Sequence, residues 1–382
     1  MIRPLAYVAG AFEHPERVIP TKSIATVYLE ILAGVCADAG LSSDDIDSLH
    51  ASTTPGGIVA LAETLGLRNL RHFDGTDIGG ATYVSAMGEA ARRVATGESQ
   101  VSLVIMAGLP RRGMSNRAAP GPSAPFEQAH GSTLIAQYAL AARRHMHEFG
   151  TTREDLAHIK VASSHHAALN PHALLRDRVT IEEVLEARPI AEPLHRQDCC
   201  VVTDGGGALL VVSEAVARSL GRSAPGILSQ AEATRNWANG QLDLTRSAAT
   251  ESGPRAFDAA GVTPASIDYA SVYDSFTFTV LLALEDLGFC AKGEGGRFVR
   301  DGRLIAGVGS LPTNTDGGGL SNNHPDNRGG MVRSIEAVRQ LRGEANPGTQ
   351  VPHCELAVVH GVGYVLGSRH SASTAVLARG EW

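Results

Sequence analysis

The sequence lacks the features that mark several classes of protein. Its five cysteines among 382 residues form no CxxC pair, and Cys199 and Cys200 are adjacent, so neither a zinc site nor a disulfide framework is predicted. No apolar run approaches the ~18 residues that a membrane span needs. Pro4, Glu13 and His14 stand where a signal peptide would have its apolar stretch, so we expect no export.

Long basic runs are also missing. Acidic residues outnumber basic ones by 40 to 33, which gives a formal net charge of −7. This balance argues against nucleic acid or an anionic membrane surface as the main partner. With no metal site, no export signal and no membrane span expected, the sequence predicts a reduced, cytoplasmic, soluble protein.

Glycine is the residue that the sequence has in excess. It accounts for 42 of 382 residues, and many of these glycines are clustered. Such clusters indicate tight turns or close backbone approach at a site, because glycine has no Cβ. The clusters are Gly79–Gly80, Gly205–Gly207, Gly317–Gly319, and Gly361 with Gly363.

The order of apolar segments predicts an α/β protein with about two domains. Short β-branched runs at 101–107, 208–213, 355–359 and 374–378 are typical of buried strands, and 81–96 and 334–342 of helices that end at glycine. Both halves of the chain follow a similar plan, so we divide it into residues 1–222 and 223–382. We expect residues 110–195 to be an inserted loop region in the first half, with a helix near 136–149.

Two segments in this pattern have a glycine pair or a polar triplet before a helix. The segment 77–83 places Gly79–Gly80 where a ligand could approach main-chain amides, or where a helix simply crosses a strand closely. In the segment 273–277, Asp274 or Ser275 could be a helix N-cap, which is the simpler interpretation.

Two further segments contain histidine. The polar segment 314–328 contains His324, which can exchange a proton near neutral pH, although a surface turn is the alternative. The segment 360–364 follows a buried strand, where α/β proteins usually bind ligands; His360 and Tyr364 could equally be structural. The histidines His165, His166 and His172 match no zinc spacing, and we interpret them as structural.

Taken together, these segments resemble the thiolase superfamily, in its sterol carrier protein/thiolase-like branch. The segments are 79–97, 273–277, 317–325 and 360–363. In order and spacing they resemble the nucleophile helix, the Asn-Glu-Ala-Phe or His-Asp-x-Phe motif, the Gly-His-Pro motif and the Cys-x-Gly motif. The resemblance covers nearly the whole chain. It implies an αβαβα layered fold made of two similar halves.

The departures from the family pattern concern the reacting groups. The nucleophilic cysteine of the family falls on Gly80, the second catalytic cysteine on His360, and the Asn or His on Tyr273, whereas His324 is retained. Without a thiol no acyl-enzyme thioester can form at this position. The resemblance therefore points to the aldolases of this branch that cut steroid side chains without these cysteines. Such aldolases have a further tyrosine where this chain has Asn322.

The resemblance implies a lyase that cleaves a β-hydroxyacyl-CoA by retro-aldol chemistry to a ketone and a short acyl-CoA. We assign Tyr273 and His324 to the enolate oxygen, and Tyr364 with His360 to the hydroxyl proton. Tyrosine would act as a ready base at pH 7 only if its pKa fell by about three units, roughly 4 kcal/mol. Further residues expected to bind substrate are Gly80, Asp274, Ser321, Asn322 and Gly361.

Two other functions remain open. One is a Claisen-type acyltransferase that uses Ser321 or another group, and the other is a catalytically silent subunit that binds acyl-CoA or lipid. The coenzyme A thioester is expected as substrate, with no cofactor and no metal. The resemblance also implies a homodimer and a small OB-fold, zinc-ribbon partner protein.

Overall fold

The computed structural model describes residues 3–52, 54, 56–113, 129–131, 133–236, 241–325 and 329–380. Strands and helices alternate along these residues, as the alternation of apolar segments predicts. The strands are β1 Ala6–Glu13, β2 Ser48–His50, β3 His72–Asp74, β4 Val101–Gly108, β5 Pro189–Ala191, β6 Leu194–His195, β7 Gly205–Val212, β8 Gly226–Arg235, β9 Tyr269–Val272, β10 Leu356–Tyr364 and β11 His370–Ala378.

The helices are of two kinds, long ones that cover the sheet and short ones in the connections. They are α1 Ile24–Ala39, α2 Gly57–Thr64, α3 Thr82–Ala95, α4 Leu134–Phe149, α5 Arg153–Ala167, α6 Ile181–Glu186, α7 Glu214–Ser219, α8 Ala249–Ala260, α9 Thr277–Asp286, α10 Gly295–Phe298 and α11 Gly329–Arg342. Within the described ranges, no helix is both long and apolar enough to cross a membrane.

Nine strands form one sheet in the order β3-β2-β4-β7-β1-β8-β11-β10-β9. Strand β2 runs parallel to β3 and β4, and β9 runs parallel to β10, whereas the other neighbours are antiparallel. The first strands of the two halves, β1 and β8, meet in the middle, where Ala6 pairs with Ile227 and Tyr7 with Gly226. From this seam outward, the order β1, β7, β4, β2 matches the order β8, β11, β10, β9, so the two halves repeat one plan.

Side chains alternate between the two faces of each strand and so divide the protein into layers. On β4, Leu103 and Ile105 pack into a cluster with α1, whereas Val104 and Met106 face a central cluster. The central cluster contains α3 from the first half and α11 from the second, with strands from both halves around them. A third cluster places α8 and α9 against the outer face of the second half. The two halves of the sheet, joined at the β1–β8 seam, therefore lie on either side of the central cluster. The order of layers is helix, half-sheet, helix, half-sheet, helix, which confirms the predicted αβαβα fold.

The predicted strands and central helices are present, with two differences. The segment 360–364 is not a loop after a strand, because the pairing of β10 with β11 continues to Tyr364 and His370. The described part of 110–195 is largely helical rather than a loop, since it contains α4, α5 and α6. The helix predicted near 136–149 is α4. The division of the chain at residue 222 stays a prediction.

Candidate active site

The turn before α3 packs directly against the end of β10. Residues Gly79–Ala81 form a short 3-10 turn, and the Asp77 carboxylate accepts a hydrogen bond of 3.0 Å from the Gly79 amide. A Cβ atom at Gly363 would lie 1.9 Å from the Ile78 carbonyl oxygen, and one at Gly361 would lie 2.8 Å from that of Gly80. Glycine at 361 and 363 therefore lets the turn lie on the strand, and Gly361 contributes backbone packing here.

The ring of Tyr273 occupies the space beside Gly80. A Cβ atom added at Gly80 would lie 2.5 Å from Cζ of Tyr273 and 2.4 Å from the Val362 carbonyl oxygen. Both separations are far below ordinary van der Waals contact, which begins near ~3.5 Å. A side chain at position 80 and the tyrosine at 273 therefore exclude each other, and a nucleophilic thiol does not fit at this turn.

Tyr273 and His324 come together although 51 residues separate them in the chain. The Tyr273 hydroxyl lies 2.9 Å from Nε2 of His324. The Tyr273 amide donates to the His360 carbonyl (2.8 Å), and the His324 amide donates to Oγ1 of Thr203 (2.9 Å). The structure thus brings together two of the predicted site residues, each held by its own main chain.

Burial determines the protonation state of His324. His324 is enclosed, and burial, with a smaller effect of Arg333, lowers its pKa to about 4. The imidazole is therefore neutral at pH 7. A neutral imidazole beside a phenol offers hydrogen bonds to a carbonyl oxygen or an enolate oxygen without placing a full charge in the site.

Asp274 holds the backbone of the segment that precedes His324. Its two carboxylate oxygens accept hydrogen bonds from the amides of Gly319 (2.8 Å) and Leu320 (3.1 Å). Burial raises the pKa of this carboxyl group, with Arg333 acting in the opposite direction. The N-cap of α9 is Phe276, so the interpretation of Asp274 as the helix N-cap is wrong. The hydrogen bonds of Asp274 hold backbone amides, and its role in binding substrate stays a prediction.

Ser321 and Asn322 lie in buried hydrogen-bond networks. Oγ of Ser321 lies 2.8 Å from Nζ of Lys160, whose pKa burial lowers to about 8. The Asn322 amide donates to Asp316 and its oxygen accepts from Arg17. These hydrogen bonds hold the two side chains on other buried groups rather than on Tyr273. The sequence pattern gave no signal for these partners, which are Lys160, Asp316 and Arg17.

The ring of His360 makes no hydrogen bond to another predicted catalytic residue among the described residues. Its Nδ1 is 2.9 Å from Oγ1 of Thr374, its partner across β11, and its ring is fully buried. Nε2 has no hydrogen-bond partner among the described residues. Burial and the neighbouring His370 lower the pKa of His360 to about 3. In the described ranges no hydrogen bond joins its ring to the Tyr364 hydroxyl, and the joint role of His360 and Tyr364 stays a prediction.

Tyr364 instead pairs with Asp77. Its hydroxyl donates toward the Asp77 carbonyl oxygen at 3.2 Å and lies 3.4 Å from Oδ1 of the same residue. Its backbone has a φ of 60°, in the left-handed region that a tyrosine rarely adopts. Tyr138 of α4 donates from its hydroxyl to the Tyr364 carbonyl oxygen (2.9 Å). Burial, with Asp77, raises the pKa of the Tyr364 hydroxyl.

None of the five cysteines provides an activated thiol. All five are free, and burial raises the pKa of each. The pKa of the Cys199 thiol is raised to about 11, and the pKa values of the Cys290 and Cys354 thiols are raised to about 12. A thiol with a raised pKa is a poor nucleophile at pH 7, because the thiolate is the reactive form.

Comparison with known proteins places this architecture in a family. Residues 231–379 match the family described as thiolase C-terminal domain-like. An acetyl-CoA acetyltransferase of Methanothermobacter thermautotrophicus is 32% identical over 370 residues, which cover 94% of this chain and 95% of the relative. The chain belongs to the thiolase superfamily.

Two further relatives are named as a lyase and an aldolase rather than as an acyltransferase. A 17-hydroxy-3-oxo-4-pregnene-20-carboxyl-CoA lyase of Mycobacterium tuberculosis is 36% identical over 362 residues, which cover 88% of this chain and 92% of the relative. A solved structure described as the Ltp2-ChsH2(DUF35) aldolase superposes with a TM-score of 0.88 at 31% identity, over 99% of this chain and 98% of that one. This thiolase-superfamily chain is thus similar both to acyltransferases and to carbon–carbon lyases.

Histidines and carboxylates outside the site have structural partners in this thiolase-superfamily chain. His166 accepts the amide of Ala306 at Nε2 and lies 3.2 Å from the Asn314 carbonyl oxygen at Nδ1, so both ring nitrogens are used. Burial lowers its pKa to about 4. His166 is therefore structural, whereas the same interpretation of His165 and His172 stays a prediction.

Proposed function

We propose that the protein is a lyase that cleaves a β-hydroxyacyl-CoA by retro-aldol chemistry into a ketone and a shorter acyl-CoA. The observation that carries the proposal is the geometry at Gly80: the Tyr273 ring stands in place of a nucleophile, and its hydroxyl bonds to His324. A covalent acyl-enzyme has no thiol to form on. Groups that can stabilise an enolate oxygen are nevertheless present.

Retro-aldol cleavage needs what this site offers. The β-hydroxyl group loses its proton, the bond between Cα and Cβ breaks, and its electron pair passes to the thioester enolate. Tyr273 and neutral His324 would donate hydrogen bonds to the enolate oxygen, in a buried setting where such donors are worth more than in water. Tyr364 would contact the β-hydroxyl group. Asp274 and the glycines at 80 and 361 would act through the backbone of this site.

The substrate class and the partners also belong to the proposal. A steroid or another branched side chain is supported by the name of the Mycobacterium tuberculosis relative, and a small partner protein by the name of the Ltp2-ChsH2(DUF35) aldolase. We propose that the chain forms a homodimer, pairs with a small OB-fold, zinc-ribbon protein, and uses the coenzyme A thioester as substrate without a further cofactor. A cytoplasmic location, predicted from the sequence, is supported by the free cysteines.

A Claisen-type acyltransferase is the second candidate, favoured by the similarity to the acetyl-CoA acetyltransferase. In that case Ser321 would have to replace the missing thiol. Its hydroxyl group is enclosed and bonded to Lys160 and Ser163, and it lies on the segment that precedes His324. The geometry therefore favours the lyase.

The deciding experiment supplies a 3-hydroxyacyl-CoA with a branched β-carbon, with and without a small OB-fold partner protein. We expect release of ketone without added free CoA. A parallel arm supplies a 3-ketoacyl-CoA with free CoA. Cleavage there, with no ketone released from the 3-hydroxyacyl-CoA, would establish the acyltransferase, and binding of either thioester without turnover would establish the silent subunit.

The matched variant is Tyr273→Phe, which keeps the ring beside Gly80 and removes only the hydroxyl group. We expect turnover to fall about 10²–10³-fold, the effect of removing one donor to a developing oxyanion. The lost bond to the buried His324 costs about 1–3 kcal/mol, so turnover is compared at a temperature where both proteins are fully folded. Unchanged turnover in this variant would remove Tyr273 from the mechanism.

A further inference from the structure

We propose that Asp77 is the proton acceptor behind Tyr364, so that the two residues relay the β-hydroxyl proton of the substrate away from the reacting carbons. This inference rests on the lyase function proposed above and names the group that completes it. The glycine pair of the segment 77–83 gives no role to its aspartate. The contact of Asp77 with Tyr364 supplies one.

The first observation is the contact itself. The Tyr364 hydroxyl lies 3.4 Å from Oδ1 of Asp77 and 3.2 Å from the carbonyl oxygen of the same residue. Oδ1 also accepts the amide of Gly79 at 3.0 Å, which fixes the direction of the carboxylate. Catalytic hydrogen bonds are often long in ligand-free structures and shorten when substrate binds.

The second observation is backbone strain at Tyr364. A non-glycine residue at φ 60° costs about 1–2 kcal/mol relative to ordinary conformations. The strain is maintained by three contacts: the hydroxyl with Asp77, the carbonyl oxygen with Tyr138, and the cross-strand pairing with His370. Strain held in this way is typical of functional positions, where it orients a side chain.

The third observation concerns His360, for which the described residues show no hydrogen bond to Tyr364. Its ring bonds to Thr374, and burial with His370 lowers its pKa to about 3, which makes it a poor proton acceptor at pH 7. Burial and Asp77 both raise the pKa of the Tyr364 hydroxyl, which therefore stays protonated at pH 7. A protonated phenol accepts a proton only if it passes its own proton on, and Asp77 is the carboxylate in contact with it.

The relay balances without a further reactant. The β-hydroxyl proton moves to the Tyr364 oxygen as the Tyr364 proton moves to Oδ1 of Asp77. The electron pair of the broken O–H bond forms the ketone C=O bond, and the pair of the Cα–Cβ bond passes to the thioester enolate. The enolate then takes a proton at Cα from solvent, and Asp77 returns its proton to solvent. The sum is one β-hydroxyacyl-CoA converted to one ketone and one acyl-CoA.

Asp77 acts through Tyr364, so it is a positioning residue whose role needs a readout beyond loss of activity. The test variant is Asp77→Asn, which keeps an oxygen for the Gly79 amide and cannot take a proton. The matched control is Asp74→Asn. Asp74 is the last residue of β3, three residues before Asp77, and receives a hydrogen bond from Thr76.

With the 3-hydroxyacyl-CoA as substrate, we expect kcat of Asp77→Asn to fall about 10²-fold with KM unchanged, and Asp74→Asn to match the wild type. Asp77→Glu should recover part of the loss. Because the two residues act in one step, the double variant with Tyr364→Phe should be no slower than Tyr364→Phe alone. Independent, multiplying losses in the double variant would overturn the relay.

A tyrosine titration decides the contact even without turnover. The carboxylate raises the pKa of Tyr364, so the phenol absorbance that Tyr364→Phe removes should titrate at lower pH in Asp77→Asn than in the wild-type background. Tyr138 and His370, which also lie against Tyr364, are unchanged in both backgrounds. An unmoved titration overturns the inference, whereas absent ketone release with a moved titration overturns the lyase function and leaves the contact established.

Discussion

A single methyl group at position 80 tests the central geometry of the site. In Gly80→Ala the new Cβ would lie 2.5 Å from Cζ of Tyr273 and 2.4 Å from the Val362 carbonyl oxygen. The carbonyl is fixed by the pairing of β10 with β11, so relief of the clash with the carbonyl must come from the turn 79–81, and relief of the clash with Tyr273 must come from the tyrosine ring. Restoring ordinary contact requires the ring to move by about 1 Å, since carbon atoms pack at ~3.5–4.0 Å.

That displacement has two measurable effects. Overpacking of this kind costs about 1–3 kcal/mol of unfolding free energy, which lowers the melting temperature by on the order of 2–4 °C per kcal/mol. The Tyr273–His324 bond, now 2.9 Å, would stretch beyond hydrogen-bond range. We expect ketone release to fall about 10²-fold, as for a displacement of ~1 Å of a catalytic group.

The control is Gly75→Ala. A Cβ at Gly75 would meet its nearest neighbour, Ile58, at 4.0 Å, so this variant should keep wild-type stability and turnover. In the double variant of Gly80→Ala with Tyr273→Ala, one of the two clashes disappears, so the combined loss of stability should be smaller than the sum of the single losses. Wild-type stability and activity in Gly80→Ala, or strictly additive losses in the double variant, would refute the reasoning.

Three further variants or conditions address the supports of the site. Buried histidines have lowered pKa values, so below pH ~6.5, the ordinary pKa of histidine, the unfolded chain binds more protons than the folded protein. Stability should be full above that pH and should fall by up to about 1.4 kcal/mol per pH unit for each histidine as the pH drops toward 4. Urea unfolding at pH 7.5, 6 and 5 measures this loss, and a flat profile would contradict it. These histidines are His50, His166, His324 and His370, at about 4, and His360, at about 3. Asp274→Asn should cost about 1–3 kcal/mol, because an amide NH2 would face one of the two buried amides that the carboxylate now accepts; unchanged urea unfolding would show that the contact carries no stability. Thr203→Val removes the acceptor of the His324 amide at constant shape and should lower both stability, by about 1–3 kcal/mol, and turnover; loss of stability alone would separate His324 from the chemistry.

The fold was predictable because the buried strands carry unbroken apolar runs. The segments 101–107 and 374–378 lie in β4 and β11, and the segment 81–96 contains α3. The end of β10 was not predictable in this way. Gly361 and Gly363 indicate a loop locally, and only the pairing with β11 and the close approach of the turn 79–81 explain why glycine continues the strand.

The site was predictable in part. The pairing of Tyr273 with His324 followed from motif order, since both positions belong to motifs of one superfamily. The hydrogen bond of the His360 ring to Thr374 did not follow, because motif matching does not give the partners of a side chain. Lys160 gave no sequence signal either: it lies within α5, and its contact with Ser321 bridges 161 residues.

The central layer of helices sets the order in which this chain can finish folding. Helix α3 buries its surface against α11 and against strands of both halves, yet α11 leaves the ribosome about 230 residues later, on the order of 12–50 s at ordinary synthesis rates. During this interval the part of the α3 surface that packs against α11 and the strands of the second half has no permanent cover, so the nascent first half is the stage most exposed to aggregation and to chaperone binding. Truncated chains that end before residue 329 should therefore be recovered mainly in the insoluble fraction.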